Sequence, residues 1–103
     1  MYARVTLLEI DVLRADVDDV LERYRTELLP RIESQAGYEG IVVLATPDGQ
    51  GLVMTLWSDR ASLDASAAMA AGATDEFTTV FRSAPGRESY EVRLADVPAL
   101  AVD

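Results

Sequence analysis

Two neighbouring stretches of the chain are apolar on both of their faces. Ile41 to Thr46 is an almost unbroken aliphatic run. Leu52 to Ser58 sets Leu52, Met54 and Leu56 on one side and Val53, Thr55 and Trp57 on the other. Pro47-Asp48-Gly49-Gln50-Gly51 lies between them and carries turn chemistry, so the spacing predicts a β-hairpin. A sheet in a two-layer domain keeps one wet face, and a hairpin without one needs cover from both sides. The chain's own helices supply one cover. A second copy of the chain is expected to supply the other, which predicts a homodimer.

The flanking segments supply the partners of that hairpin. Tyr2 to Ile10 reads as a strand, and Asp11 to Ala15 as a turn. Asp16 is a helix N-cap, with Asp18 and Asp19 in the first turn where negative charge suits the helix dipole. Val17, Val20, Leu21, Tyr24, Leu28 and Ile32 then recur at helical spacing. Pro30 removes a backbone donor within this run and predicts a kink near Leu28, and Gly37 is expected as a left-handed cap. After the hairpin, Ser58 or Asp59 caps a helix from Arg60 to about Met69. That helix is expected to break at Gly72 and to restart at Thr74, running through Phe77, Val80 and Phe81 to Ser83. Glu88 to Ala95 alternates as a last strand, with Tyr90, Val92 and Leu94 on one side. The tail from Asp96 to Asp103 is apolar at Val97, Leu100 and Val102 and is expected to dock on the partner subunit.

The order β-α-β-β-α-β defines an α+β, ferredoxin-like fold with an antiparallel sheet. Strands one and three lie at its centre and strand two at an edge. An aliphatic edge strand left open invites pairing with another chain, a second argument for the homodimer.

Residue inventory narrows the chemistry. The 103 residues make one domain, since halving them would leave neither part a stable core. The chain has no His, Cys, Lys or Asn, and all nine cations are Arg. Disulfides, thiolate nucleophiles, imidazole bases, side-chain Schiff bases and His- or Cys-ligated metals are therefore excluded, and no cofactor or metal is expected. A net charge of −9 with scattered arginines argues against nucleic acid. The apolar runs are too short to cross a bilayer, so a cytoplasmic location is the default expectation.

Gly37-Tyr38-Glu39-Gly40 before an aliphatic strand resembles the Gly-aromatic-x-Gly element of dimeric α/β-barrel proteins. Thr55-Leu56-Trp57-Ser58-Asp59-Arg60-Ala61-Ser62-Leu63 looks like their strand-three Trp followed by a helix. With the Leu-Leu-Pro near the end of helix one, the chain is similar to the antibiotic-biosynthesis-monooxygenase-like family. The resemblance implies two ferredoxin-like protomers packed sheet against sheet into a dimeric α/β barrel, each with an apolar pocket between its sheet and helices. Members include cofactor-independent oxygenases of polycyclic phenols, haem-degrading oxygenases and proteins without an assigned activity. Haem-degrading members use a His and an Asn, neither of which occurs here. Phenol oxygenases surround the substrate with polar residues, whereas here strand one offers Thr6 and Leu8 and the start of helix two offers Leu63.

The resemblance places Trp57 in the pocket wall, where an aromatic ligand would stack; the ordinary alternative is core packing. Phe77 and Phe81 lie one helical turn apart and would form the opposite wall, with Leu63 as a further lining residue. Arg82 would meet a phenolate or carboxylate, or else a solvated surface. Glu9 ends strand one, and burial there would raise its pKa into the range of a general base. Asp16, Asp18 and Asp19 are explained by capping. Trp57 and Glu9 are thus the catalytic candidates, and Trp57, Phe77, Phe81, Leu63 and Arg82 the binding candidates. Three functions are consistent with this: a cofactor-independent monooxygenase of aromatic phenols, a non-catalytic ligand-binding or regulatory dimer, and an interaction module whose pocket is filled by its own side chains.

Overall fold

The structure is a computed structural model that describes residues 1–77, 80–83, 85–98 and 100, with side chains throughout except at 73–77. Four antiparallel strands, β1 (Tyr2–Glu9), β2 (Tyr38–Ala45), β3 (Gln50–Trp57) and β4 (Gly86–Glu91), form one sheet in the order β2-β3-β1-β4. The two inner strands are β3 and β1, as the pattern predicts. On the helical side, α1 (Val17–Arg23) runs into a π-helical turn, Tyr24–Leu28, and then α2 (Leu29–Glu33). Two helices, α3 (Arg60–Ala65) and α4 (Ala67–Phe77), follow the hairpin.

Local chemistry sets most boundaries. The Asp16 carboxylate accepts from the Asp19 amide, and Asp59 accepts from the Ser62 amide at 2.7 Å. That second cap, chiefly through its bonds to Ser62, holds the Asp59 carboxyl below the usual carboxylate range. The kink expected from Pro30 takes the form of the π-helical turn. Proline has no N–H for the carbonyl four residues back, and its ring crowds that carbonyl. The helix widens just before it, with the Leu29 amide donating to the Tyr24 carbonyl five residues earlier.

Several expected boundaries are corrected. The helix after the hairpin breaks at Ser66 and continues through Gly72. One glycine costs a helix only about 1 kcal/mol. At Ser66, by contrast, the Leu63 carbonyl is taken by the Arg4 guanidinium at 2.9 Å and by the Ser66 hydroxyl at 2.6 Å. Of the expected helical restart up to Ser83, the part through Phe77 belongs to α4. Residues 78 and 79 lie outside the described residues, and the part from Phe81 is not α-helical. Beyond α4 the backbone pairs with the end of β1: Asp11 donates to the Val80 carbonyl, Arg82 to the Glu9 carbonyl, and Phe81 bridges Ile10. The last strand spans Gly86–Glu91 and stops short of Leu94, which is 89% exposed. Val97 and Leu100 are also exposed, while Val102 lies outside the described residues.

The sheet has two distinct faces. Arg4, Thr6 and Leu8 of β1, with Val53, Thr55 and Trp57 of β3, face the helices. Ala3, Val5 and Leu7 pair with Leu56, Met54 and Leu52 on the opposite face, continued by Val42 and Leu44 of β2. No helix of the chain covers that apolar surface among the described residues, and Leu7 and Leu44 are exposed. The buried core lies at the Trp57 end of the helical side and comprises Leu28, Ile32, Trp57 and Leu63.

Gly37 joins α2 to β2 at φ +82°, three residues beyond the Ser34 C-cap rather than as the cap itself. Any Cβ there would collide with the Ser62 side chain, and the Gly37 carbonyl accepts from Ser58 at 2.8 Å. Gly37→Ala therefore combines an unfavourable backbone with a steric clash at the start of α3. It is expected to lower unfolding stability by roughly 2–4 kcal/mol in urea titration. A loss below about 1 kcal/mol would show that α3 yields freely and that the contact is not a constraint.

Candidate functional site

Strand alternation places a row of small and medium side chains beneath the helices, where they stay half-buried: Thr6, Leu8, Val53 and Thr55. They do not fill the space to α1 and α4. A cavity of about 930 Å³ results, counting the part continuous with solvent. Its walls are predominantly apolar, with Val20, Tyr24 and Leu28 from the first helical stretch, Met69 from α4, and Phe81.

Trp57 lines this cavity at the end where the core begins and is 2% exposed. Its indole N–H donates to the Thr55 hydroxyl at 3.0 Å, and Tyr38 meets the ring edge-on at a centroid distance of 6.0 Å. The indole is thus fixed in orientation, with its polar atom satisfied. Tyr24 stands in the cavity wall because the π-helical turn holds it there. Burial first, and then the neighbouring Tyr38, push its hydroxyl up to about 12. It stays a neutral hydrogen-bonding phenol at every physiological pH.

The polar residues that matter were not among the sequence candidates. Arg4 is buried and lines the cavity, donating to the Ser66 hydroxyl at 2.6 Å and to the Leu63 carbonyl. Burial, and then the charge of Arg87, lower its pKa. Arg87 lines the cavity from β4 and donates to the Ala70 carbonyl at 2.8 Å. Among the described residues, no carboxylate lines the cavity. Period-two alternation from Thr6 and Leu8 would have found Arg4, since all three share one face of β1.

The remaining candidates fall in different places. Phe81 lines the cavity, as do Thr6 and Leu8. Leu63 is wholly buried in the core against Trp57 and is not in the lining. Glu9 and Arg82 form a partly exposed ion pair at 3.4 Å, and neither reaches the cavity. The burial that would have made Glu9 a general base is missing, because Glu9 ends its strand on the face away from the helices. The side chain of Phe77 lies outside the described residues.

Neither a protein-family model nor a curated protein matches the chain. Solved structures do. A Nitrosomonas europaea protein of unknown function, NE2512, aligns with 95% of this chain and 94% of its own at TM-score 0.74 and 22% identity. The Streptomyces coelicolor monooxygenase ActVA-Orf6, solved with the ligand nanaomycin D, aligns with 95% of this chain and 92% of its own, at TM-score 0.69 and 13% identity. The haem degrader MhuD of Mycobacterium tuberculosis, solved with two haems in its active site, covers 93% of this chain and 99% of its own. It reaches TM-score 0.69 at 19% identity. Other matching structures bear the name antibiotic biosynthesis monooxygenase.

The strand order and helix placement define a ferredoxin-like α+β protein. Within that class, the chain has the fold of the antibiotic biosynthesis monooxygenases. At these identities the likeness establishes architecture, and activity has to be argued from the cavity.

The Tyr24 hydroxyl has a definite pH signature. Its folded-state pKa lies above the unfolded value, so its contribution to stability is full below pH 10 and lost as pH rises from 10 towards 12. Urea unfolding at pH 9 and pH 11.5 is expected to show a stability decline that is smaller in Tyr24→Phe. Identical declines in both proteins would place the Tyr24 hydroxyl in water.

Proposed function

We propose that the protein is a cofactor-independent monooxygenase that oxidises aromatic, polycyclic phenols in the cavity beside Trp57. The observation that carries this reading is an apolar, aromatic-walled cavity with two cationic groups, in a fold shared with monooxygenases. Tyr24 and Phe81 are half-buried in the cavity wall and offer aromatic surface to a ring system. The buried Trp57 closes the cavity's end with its indole N–H satisfied.

Such a reaction draws its electrons from the substrate. An anthrone-type phenol loses a proton to give an enolate, which passes one electron to O₂. Ligand radical and superoxide combine at carbon to form a hydroperoxide, and loss of water leaves a quinone. One ring CH₂ and one O₂ become one C=O and one H₂O. The protein's share is to hold the ring, exclude water and favour the anion. Arg4 and Arg87 supply positive charge for that purpose in a cavity without carboxylates among the described residues. The inventory, lacking His and Cys, supports chemistry that asks little else of side chains.

Oxygen uptake with dithranol as substrate tests the proposal. Turnover is expected in the native chain, with a rate about tenfold lower in Trp57→Phe, which corresponds to about 1.4 kcal/mol of transition-state stabilisation. No uptake would refute the oxygenase reading. Binding of dithranol without uptake would favour the non-catalytic, ligand-binding alternative, which the lack of a carboxylate base in the described lining also suits.

The same reading includes a homodimer formed through the uncovered sheet face. Its support is the continuous apolar surface of Val5, Leu7, Leu52, Met54, Leu56, Val42 and Leu44, which water would otherwise wet. Light scattering at micromolar concentration is expected to give twice the 11.2 kDa chain mass. Met54→Asp, a charge at the centre of that face, is expected to return it to one chain. A native protein of single-chain mass would overturn this assembly.

A further inference from the structure

The cavity's charge is unlike that of the rest of the molecule. The chain carries 18 acidic and 9 basic residues, yet the charged groups among the described lining residues are two arginines. Sheet register brings them together: Arg87 stands opposite Thr6 on β1, and Arg4 is two residues along the same strand and on the same face. Diagonal neighbours of this kind lie roughly 7–8 Å apart at Cα, within reach of two long side chains. Arg87 is one of the causes that lower the Arg4 pKa, as a nearby like charge must.

Among the described residues neither guanidinium forms an ion pair, and Asp64, itself paired with Arg60, acts on Arg4 only through its field. Arg4 spends two of its five N–H donors, on Ser66 and Leu63, and Arg87 spends one, on Ala70. The other donors have no protein acceptor among the described residues. Two guanidinium groups beside an apolar cavity repel one another and attract an anion, and a guanidinium fork matches a carboxylate's two oxygens. The pair also stands against the long-range field of a chain with net charge −9, which repels anions.

We propose that the Arg4–Arg87 end of the cavity binds the carboxylate of an aromatic acid whose rings lie against Tyr24 and Phe81. This deepens the reading of the cavity as a ligand site and rests on it: the substrate class becomes polycyclic phenols that carry an acid group. Arg4 is pre-set for the task, because its bonds to Ser66 and Leu63 fix the guanidinium before any ligand arrives. Arg87 closes on the acid from the edge strand.

Calorimetric titration with 2-naphthoate and its neutral isostere 2-naphthamide tests the assignment. The native chain is expected to bind the acid at least about tenfold more tightly than the amide, the size of effect that a charge-assisted pair gives. In Arg87→Gln that preference is expected to fall below about threefold while amide affinity stays unchanged. Arg93→Gln, which removes the same charge from an exposed position outside the cavity, is expected to keep the preference. Equal binding of acid and amide, or a preference that survives Arg87→Gln, overturns the carboxylate site and leaves the apolar cavity standing. Failure of both probes to bind overturns the carboxylate site together with the ligand cavity. A selective acid site without oxygen uptake would keep this inference and remove the oxygenase reading.

Discussion

The Arg4 guanidinium is the joint between the two layers of this protein. It rises from the central strand β1, is buried, and ends on the Ser66 hydroxyl and the Leu63 carbonyl. Breaking a buried charged hydrogen bond costs more than the bond contributes, since the group left behind is desolvated and unpaired. The helix after the hairpin gives up its regular course at Ser66 to meet this group. That break separates α3, whose Leu63 closes the core against Trp57, from α4, whose Met69 and Ala70 face the cavity. One long polar side chain thus holds helices above the sheet and also charges the space beneath them.

The sheet does two kinds of work on its two faces. Towards the helices its side chains are small, mixed and incompletely covered, which leaves room for a guest. On the other side they are aliphatic and in continuous register across three strands, from Val42 and Leu44 through Met54 to Val5. A carboxylate or an arginine on that second face would be costly to cover, and three of its strands carry none between Ala3 and Leu7, Leu52 and Leu56, or Val42 and Leu44 on that side. The hairpin's double apolarity follows from this division: one face lines a cavity and the other carries the uncovered aliphatic surface.

Much of the architecture was legible because it rests on local rules. Strand alternation, the Asp16 and Asp59 caps and the turn around Gly49 each depend on a few adjacent residues, and Pro30 announced the disturbance before α2. Its π-helical form was not legible, because the choice between a kink and a widened turn depends on what the helix packs against. The break at Ser66 was hidden for a similar reason. Its cause, Arg4, lies 62 residues away, whereas Gly72 looked like the obvious breaker. Phe81 was expected on a helix, but its backbone finds Ile10 across the chain and leaves its ring in the cavity wall. For the candidate site, it was the family resemblance that pointed to Trp57, while the residues alone favoured the core packing that its 2% exposure also shows. Glu9 and Arg82 looked like chemistry and prove to be each other's partners. Arg4 and Arg87 escaped because an arginine in a strand reads as solvated until the helix above it is known.

The cavity's titratable lining also determines how the protein can respond to acidity. Among the described residues it consists of Arg4, Arg87 and Tyr24. Arginines keep their charge, and Tyr24 holds its proton to about pH 12. No described wall group changes state between mildly acidic and mildly alkaline conditions. The cavity therefore presents a fixed electrostatic potential across that range, and any acidity dependence of occupancy near neutrality would report the ionisation of the guest. The wall stays constant, and a titration of any guest would be the guest's own.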